Sequence, residues 1–254
     1  MKIIILTQDE PFYLAENINY LLNNLPEKTE VVATVLFNAS PFGGKKTFTQ
    51  KITETINIFG LQFFLYYGIK LFFAKFNSNK KVSKILQKHK IKEIRLQKGI
   101  NTKESVDILK SYNPDLLISI AGNQIFKEQI FNLAPKGCLN LHTALLPKYR
   151  GLMPSFWVLK NNEKQTGVSI FFVDAGIDSG EILVQKTIDI GNMTQAELIK
   201  NSKKVGMDAI IESIEKIRDD NVEIIPNNDA EKTYFTFPTK EDVKEFKKIG
   251  KKFF

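Results

Sequence analysis

The chain has 254 residues, enough for one large domain with a sizeable core, and 43% of them are apolar and 25% charged, as in an ordinary soluble globular protein. Phenylalanine is frequent, and the formal charge of +8 is mostly lysine, which suits either a solvated surface or a partner carrying anionic groups. The single cysteine, Cys138, excludes an internal disulfide framework and fits a reducing, cytoplasmic compartment.

In chain order, residues 2–6 form a buried-strand pattern. The run is too short for a secretory leader and breaks at Gln8-Asp9-Glu10. Apolar residues at helical spacing predict a helix over 14–25, and 30–37 reads as a second strand. This βαβ opening predicts an α/β fold, a mostly parallel sheet with helices on both faces. A helix over 81–90 and a short strand over 93–96 follow. Thr102 is placed to cap a helix over 102–112. The apolar strand 115–120 ends at Ala121-Gly122, and 137–142 is the next strand. Residues 167–173 and 181–190 read as a hairpin pair, and 194–218 as a long helix. Tandem repeats are absent.

Residues 56–76 are rich in phenylalanine but contain Asn57, Gln62, Lys70 and two glycines, which argues against a membrane span. A helix packed on the sheet is the expectation, with an exposed apolar patch for a partner or membrane surface as the alternative. Near the C-terminus, Tyr234-Phe235-Thr236-Phe237-Pro238 is an aromatic, strand-like stretch. Thr239 with Asp242 then resembles a helix start, and the helix that follows carries Lys244, Lys247, Lys248, Lys251 and Lys252.

Several chemistries fall away. Gly43-Gly44-Lys45-Lys46-Thr47 lacks the spacing of a phosphate loop, and the turn after the first strand has no glycine for a dinucleotide fingerprint. His89 and His142 lie far apart and one cysteine cannot build a zinc site, so no metal is expected. His89 reads as a solvated helix end. The chemistry concentrates in Gly137-Cys138-Leu139-Asn140-Leu141-His142-Thr143-Ala144-Leu145-Leu146-Pro147-Lys148-Tyr149-Arg150-Gly151, followed by Asp174-Ala175-Gly176-Ile177-Asp178-Ser179-Gly180. Side chains alternate along a strand, so Asn140 and His142 share a face. A carboxamide, an imidazole and a loop carboxylate together suit polar chemistry at a carbonyl. Singly, Asn140 could satisfy a strand end, His142 could be a core histidine and Asp178 a turn former.

These residues, with Thr166-Gly167-Val168-Ser169 and Gly176-Ile177-Asp178-Ser179-Gly180-Glu181-Ile182-Leu183, resemble the 10-formyltetrahydrofolate-dependent formyltransferases. That superfamily includes methionyl-tRNA, glycinamide ribonucleotide and sugar N-formyltransferases. Its core is Asn-x-His, then Leu-Leu-Pro and a glycine, then a loop aspartate, here Asn140, His142, Leu145, Leu146, Pro147, Gly151 and Asp178. The match is strongest over 114–190. It departs at Thr143 and Ala144, where the family often has Pro or Gly and then Ser. The glycine-rich first turn of the glycinamide ribonucleotide enzymes is also missing.

The resemblance implies a Rossmann-like formyltransferase fold with a short C-terminal extension: a catalytic domain over 1–190, then a helix and basic extension over 191–254. It implies 10-formyltetrahydrofolate as formyl donor and co-substrate, with the pterin against backbone of Asn123, Gln124, Ile125 and Phe126 and of Val173, Asp174 and Ile177. Asn140 and His142 would stabilise the charge that develops on the formyl oxygen, and Asp178 would take a proton from the amine or tune His142. Thr143, Lys148 and Arg150 are candidates for the acceptor side, the last two equally well exposed charges. Phe156 and Trp157 read as core. The expected activity is formyl transfer to a primary amine, with a nucleotide-activated amino sugar as acceptor. Some 35 residues after the long helix look too few for a tRNA-binding barrel. Methionyl-tRNA stays open as acceptor because of the basic surface. So do a hydrolase releasing formate, a folate-binding module without turnover, and a homodimer.

Overall fold

The computed structural model describes residues 1–38, 47–76 and 80–254. The discarded phosphate-loop motif at 43–46 lies outside the described residues. Seven strands form one sheet in the order β3-β2-β1-β4-β5-β7-β8. They are β1 (Lys2–Gln8), β2 (Glu30–Phe37), β3 (Lys92–Ile94), β4 (Leu116–Ile120), β5 (Cys138–His142), β7 (Gln165–Phe172) and β8 (Ile182–Asp189). The first five pair in parallel; β7 pairs antiparallel with β5 and with β8, as the hairpin pattern predicted.

Alternate residues of β1 feed opposite layers, because side chains alternate along a strand. Ile3 and Ile5 join one apolar cluster with α1 (Leu14–Asn23), α7 (Pro154–Lys160) and α8 (Gln195–Arg218). Ile4 and Leu6 join a second with α5 (Lys103–Lys110) and α6 (Glu128–Phe131). The helix starts expected at Thr102 and Thr239 are present: Thr102 accepts from the Ser105 N–H, and Thr239 forms a reciprocal capping box with Asp242. The latter opens α9 (Lys240–Lys248). α7 has no counterpart in the periodicity. Its seven residues are too few to show a pattern, although Pro154 at the first helical turn is a local start signal.

The phenylalanine-rich region departs from expectation. It is two helices, α2 (Phe48–Phe59) and α3 (Leu61–Phe76), broken at Gly60, whose φ of 91° ends the first helix. A third short helix, α4 (Val82–Lys88), follows. α3 does not lie down on the sheet. Its inner face packs on other aromatic side chains: Phe63 stacks on Phe59 at 4.5 Å, Tyr67 meets Phe12, and Tyr66 stacks on Phe254 at 3.9 Å. The opposite face carries exposed apolar side chains, among them Leu61, Leu65, Ile69 and Phe73.

The end of the chain folds back into the first layer. Phe246 is fully buried, stacked between Phe156 at 4.9 Å and Phe253 at 4.7 Å. The carbonyls of Lys252 and Phe253 accept from the Gln195 and Ala196 N–H groups at the start of α8. Phe246→Ala should therefore cost about 3–5 kcal/mol in urea unfolding of the whole chain, the usual cost of emptying a large core position. A tail that merely rests on the surface would lose less than about 1 kcal/mol.

Candidate active site

Strand order reverses between β1 and β4, and ligands of such sheets bind outside the carboxyl ends of the strands. The carboxyl ends of β1, β4 and β5 bring Gln8, Asn123 and His142 to that side. Asn123, beyond the end of β4, donates to the Asn38 carbonyl at 2.9 Å and lies 3.4 Å from Gln8 Oε1, tying three loops together. β5 carries Asn140 and His142 on one face, in register with Phe171 and Ser169 of β7.

His142 is only 6% exposed and has oxygen acceptors on both sides of its ring. Nε2 lies 2.8 Å from the Tyr149 carbonyl oxygen, so Nε2 carries a proton. Nδ1 lies 3.5 Å from Asp178 Oδ2, close enough for ion pairing but long for a hydrogen bond. Only the doubly protonated ring donates from both nitrogens. Asp178 Oδ2 also accepts from the Gly151 N–H at 2.8 Å, which fixes the carboxylate. Among the described residues nothing bonds the Asn140 carboxamide, so its donors are unspent beside the imidazole.

The loops around this centre hold unusual backbone. Among the described residues nine non-glycine positions have positive φ, and four of them, Ala121, Tyr149, Met153 and Asp178, lie in these loops. Such strain costs of order 1–3 kcal/mol each and persists only where neighbours enforce it. Ser169 is one enforcer: its Oγ donates to the Ala144 carbonyl at 2.7 Å and accepts from the Leu146 N–H at 3.0 Å. Gln185 donates to the Leu146 carbonyl at 2.8 Å. The Tyr149 hydroxyl donates to Glu163 at 2.6 Å; burial first, then this bond, pushes it up to about 12.

A second enforcer is the C-terminal stretch. β9 (Tyr234–Phe235) pairs in parallel with β6 (Arg150–Gly151), and Phe235 stacks on both Tyr149 and Trp157. A Cβ at Gly151 would sit 2.2 Å from the Phe235 carbonyl oxygen, so this pairing requires glycine there. Arg150 is 3% exposed; it donates to Asp229 at 2.7 Å and to Asn227 Oδ1 at 2.8 Å. Asn227 Nδ2 in turn donates to the carbonyls of Asp178 at 3.0 Å and Gly180 at 2.8 Å. Sequence reasoning missed Asn227, Asp229, Ser169 and Tyr149, whose partners are distant or backbone atoms that no local pattern marks.

The other expected residues are placed as follows. Lys148 is exposed and Thr143 half-buried, both on the loop after His142. Arg150 presents no free charge to a ligand, because its guanidinium is buried against the C-terminal stretch. Ile125 and Ile177 are exposed apolar side chains, 76% and 52%, whereas the Phe126 ring is buried in the second layer. Gln124 Oε1 accepts from the Ile100 N–H at 3.0 Å. Asp174 holds its own loop through the Ser179 hydroxyl at 2.6 Å and the Gly176 N–H at 3.0 Å. Val173 donates its N–H to the Cys138 carbonyl at 2.7 Å.

Cys138 lies on the same strand as His142, but burial pushes its thiol up to about 12. It should resist a thiol reagent near neutral pH and react in full once denatured; native reactivity would mean that β5 opens. His89 is not simply solvated: its Nε2 lies 3.0 Å from Asn19 Oδ1, and burial, with Lys88 nearby, holds it below the usual histidine range. Among the described residues no three of His, Cys, Asp or Glu come together as a metal site.

Comparison with known proteins places the chain in a family. Residues 1–214 match the formyl transferase family, and the chain belongs to it. The methionyl-tRNA formyltransferase of Kosmotoga olearia is 38% identical over 146 residues, 57% of this chain and 47% of that protein. The chain spans about half the length of the curated relatives it matches. Among solved structures, the Helicobacter canadensis N-formyltransferase in complex with folinic acid and dTDP-3-aminofucose aligns over 93% of this chain and 71% of its own. Its TM-score is 0.58 at 20% identity. The phosphoribosylglycinamide formyltransferase of Anaplasma phagocytophilum aligns over 94% of this chain and 99% of its own, with a TM-score of 0.65 at 13% identity. These likenesses show the Rossmann-like formyltransferase fold.

Proposed function

We propose that this protein transfers the formyl group of 10-formyltetrahydrofolate to a primary amine, and that the amine belongs to a nucleotide-activated amino sugar. The observation that carries the transfer reaction is the grouping of Asn140, His142 and Asp178 at the carboxyl end of β5, within the family match. The folate donor fits the residues present: the Asn140 carboxamide has unspent donors, and Ile125 and Ile177 offer apolar surface on the two loops assigned to the pterin, 123–126 and 173–177.

In this reading the Tyr149 carbonyl holds the imidazole by Nε2 and leaves Nδ1, beside Asp178, as the nitrogen for proton work. Asn140 Nδ2 and His142 Nδ1–H donate to the formyl oxygen as it gains negative charge, a contribution that commonly amounts to two or three orders of magnitude in rate per donor. Asp178 balances the imidazolium and accepts the proton that the attacking amine must lose, directly or through water; as the bond from the formyl carbon to N10 breaks, that proton passes to N10 and tetrahydrofolate leaves. Thr143 and Lys148, on the loop that leaves β5, would face the acceptor. Residues 1–190 carry the chemistry and 191–254 brace it. A cytoplasmic location fits the free thiol of Cys138.

The sugar acceptor is supported by the Helicobacter canadensis likeness, which runs through 93% of this chain and whose structure holds an amino sugar nucleotide. Methionyl-tRNA is the second reading, favoured by the 38% identity to the Kosmotoga olearia enzyme. Two measurements separate the steps. Calorimetric titration with 5-formyltetrahydrofolate should give stoichiometric binding; none, with folded protein, would overturn the donor. Tetrahydrofolate release is then followed with dTDP- and UDP-linked amino sugars and with methionyl-tRNA. Turnover with methionyl-tRNA alone would sink the sugar reading, and formate release without any amine would make the protein a hydrolase.

A further inference from the structure

α3 is largely apolar, interrupted by Gln62, Lys70 and Lys75, and a helix of that kind is normally covered on most of its surface. Here one side is covered and one is not. At 100° per residue, Phe63, Tyr67, Lys70 and Ala74 fall on one side of α3, against Phe59, Phe253, Phe12 and Tyr13. The other side carries Leu61, Leu65, Ile69, Phe72, Phe73 and Phe76, all within an arc of about 120°. These six are 50–75% exposed. Contiguous apolar surface of that kind marks a contact with a partner or a membrane.

The charge around it is equally uneven. Residues 47–90 hold eight lysines and one glutamate, and 240–254 hold six lysines against three carboxylates. Those two segments, at +7 and +3, exceed the +8 of the whole chain, so the rest of the molecule is net negative. The segments are neighbours in space. Lys247 donates to the Phe59 carbonyl at 3.2 Å, Phe253 packs on Phe63, and Phe254 stacks on Tyr66. The basic C-terminal segment therefore lies against α3, with Lys247 at Phe59, Phe253 at Phe63 and Phe254 at Tyr66, and Lys80 and Lys81 follow α3 in the chain.

We propose that the outer face of α3 seats this protein on the surface of a membrane rich in anionic lipid. An apolar helical face with lysines around it is the pattern of a helix lying in the interfacial plane, held by buried apolar area and by attraction to acidic headgroups. α3 is about 24 Å long, too short to span a bilayer core of about 30 Å, so it lies on the surface. Among the described residues no helix is long and apolar enough to cross a membrane. A second copy of the chain would bring like-charged surroundings together, and a nucleic acid would leave six large apolar side chains unmet.

The test is co-sedimentation of the full chain with vesicles, read without any activity assay. Vesicles of phosphatidylcholine with about a quarter phosphatidylglycerol should bind at least about tenfold more protein than pure phosphatidylcholine, and added salt should weaken that binding. Phe72→Ser with Phe76→Ser should reduce binding about tenfold or more while the melting temperature stays the same, because both rings are exposed and their ring contacts are with each other and with the exposed Phe73. Equal binding to neutral and acidic vesicles, or no loss in the double variant, would overturn the proposal. A dimer in size-exclusion chromatography without lipid, abolished by the same substitutions, would assign the face to a second copy instead.

Discussion

His142→Ala is expected to lower the formyl transfer rate by at least about two to three orders of magnitude while 5-formyltetrahydrofolate still binds. The imidazole is the one group here that touches both an anchoring carbonyl and the loop carboxylate. Asp178→Asn should come close to that loss for a different reason. The amide oxygen can still accept from the Gly151 N–H, so the loop keeps its shape, but the charge that balances an imidazolium and takes up the amine's proton is gone. In the proposed mechanism the two residues act as one proton-handling unit, so the double variant should be little slower than the worse single one. Additive losses would mean that His142 and Asp178 work independently and that their 3.5 Å approach is incidental. An unchanged rate in His142→Ala would remove the mechanism altogether, whatever the family.

The parts of this centre that could be read from the chain are those written in short-range periodicity. Asn140 and His142 stand two apart on a strand, and Asp178 sits in a loop flanked by glycines, so each announces its setting locally. The parallel strands β1, β2 and β4 do the same through mostly apolar runs, interrupted in β2 by Thr34 and in β4 by Ser119. What stayed hidden depends on partners far along the chain. Arg150 looks like a surface charge next to Lys148, and only the return of residues 227–235 buries it. Tyr234-Phe235 reads as strand-like, but its partner strand is two residues long and has no pattern to read. α3 shows the converse limit. Apolar side chains stand on every side of it between Gln62, Lys70 and Lys75, so periodicity cannot say which face is covered, and the expected packing on the sheet gives way to one covered face and one open one.

That same long-range return makes Asn227 the residue outside the catalytic group whose loss should cost most. Its carboxamide donates to the carbonyls of Asp178 and Gly180 and accepts from Arg150, so one side chain couples the catalytic loop to a buried guanidinium. Truncation in Asn227→Ala leaves the Asp178 and Gly180 carbonyls without this donor and costs Arg150 one of its acceptors, while its contacts to Asp229 and the Asn227 backbone carbonyl remain. Leaving such groups unpaired costs about 1–3 kcal/mol of stability each when they are buried. The larger consequence should be kinetic. Asp178 sits at a positive φ of 51°, a conformation that its surroundings must enforce. Released, it can shift by an ångström or so, and misplacement on that scale can cost about a hundredfold in rate. Asn227→Ala should therefore lower kcat by roughly tenfold to a hundredfold with donor affinity nearly unchanged. Asn227→Asp should not recover the loss, because the carboxylate keeps the bond to Arg150 but sets an acceptor oxygen against the two carbonyl oxygens to which Asn227 donates. If Asn227→Ala lowers the melting temperature but not kcat, the C-terminal stretch is a structural brace alone, and the position of Asp178 is set by Gly151 and its own loop.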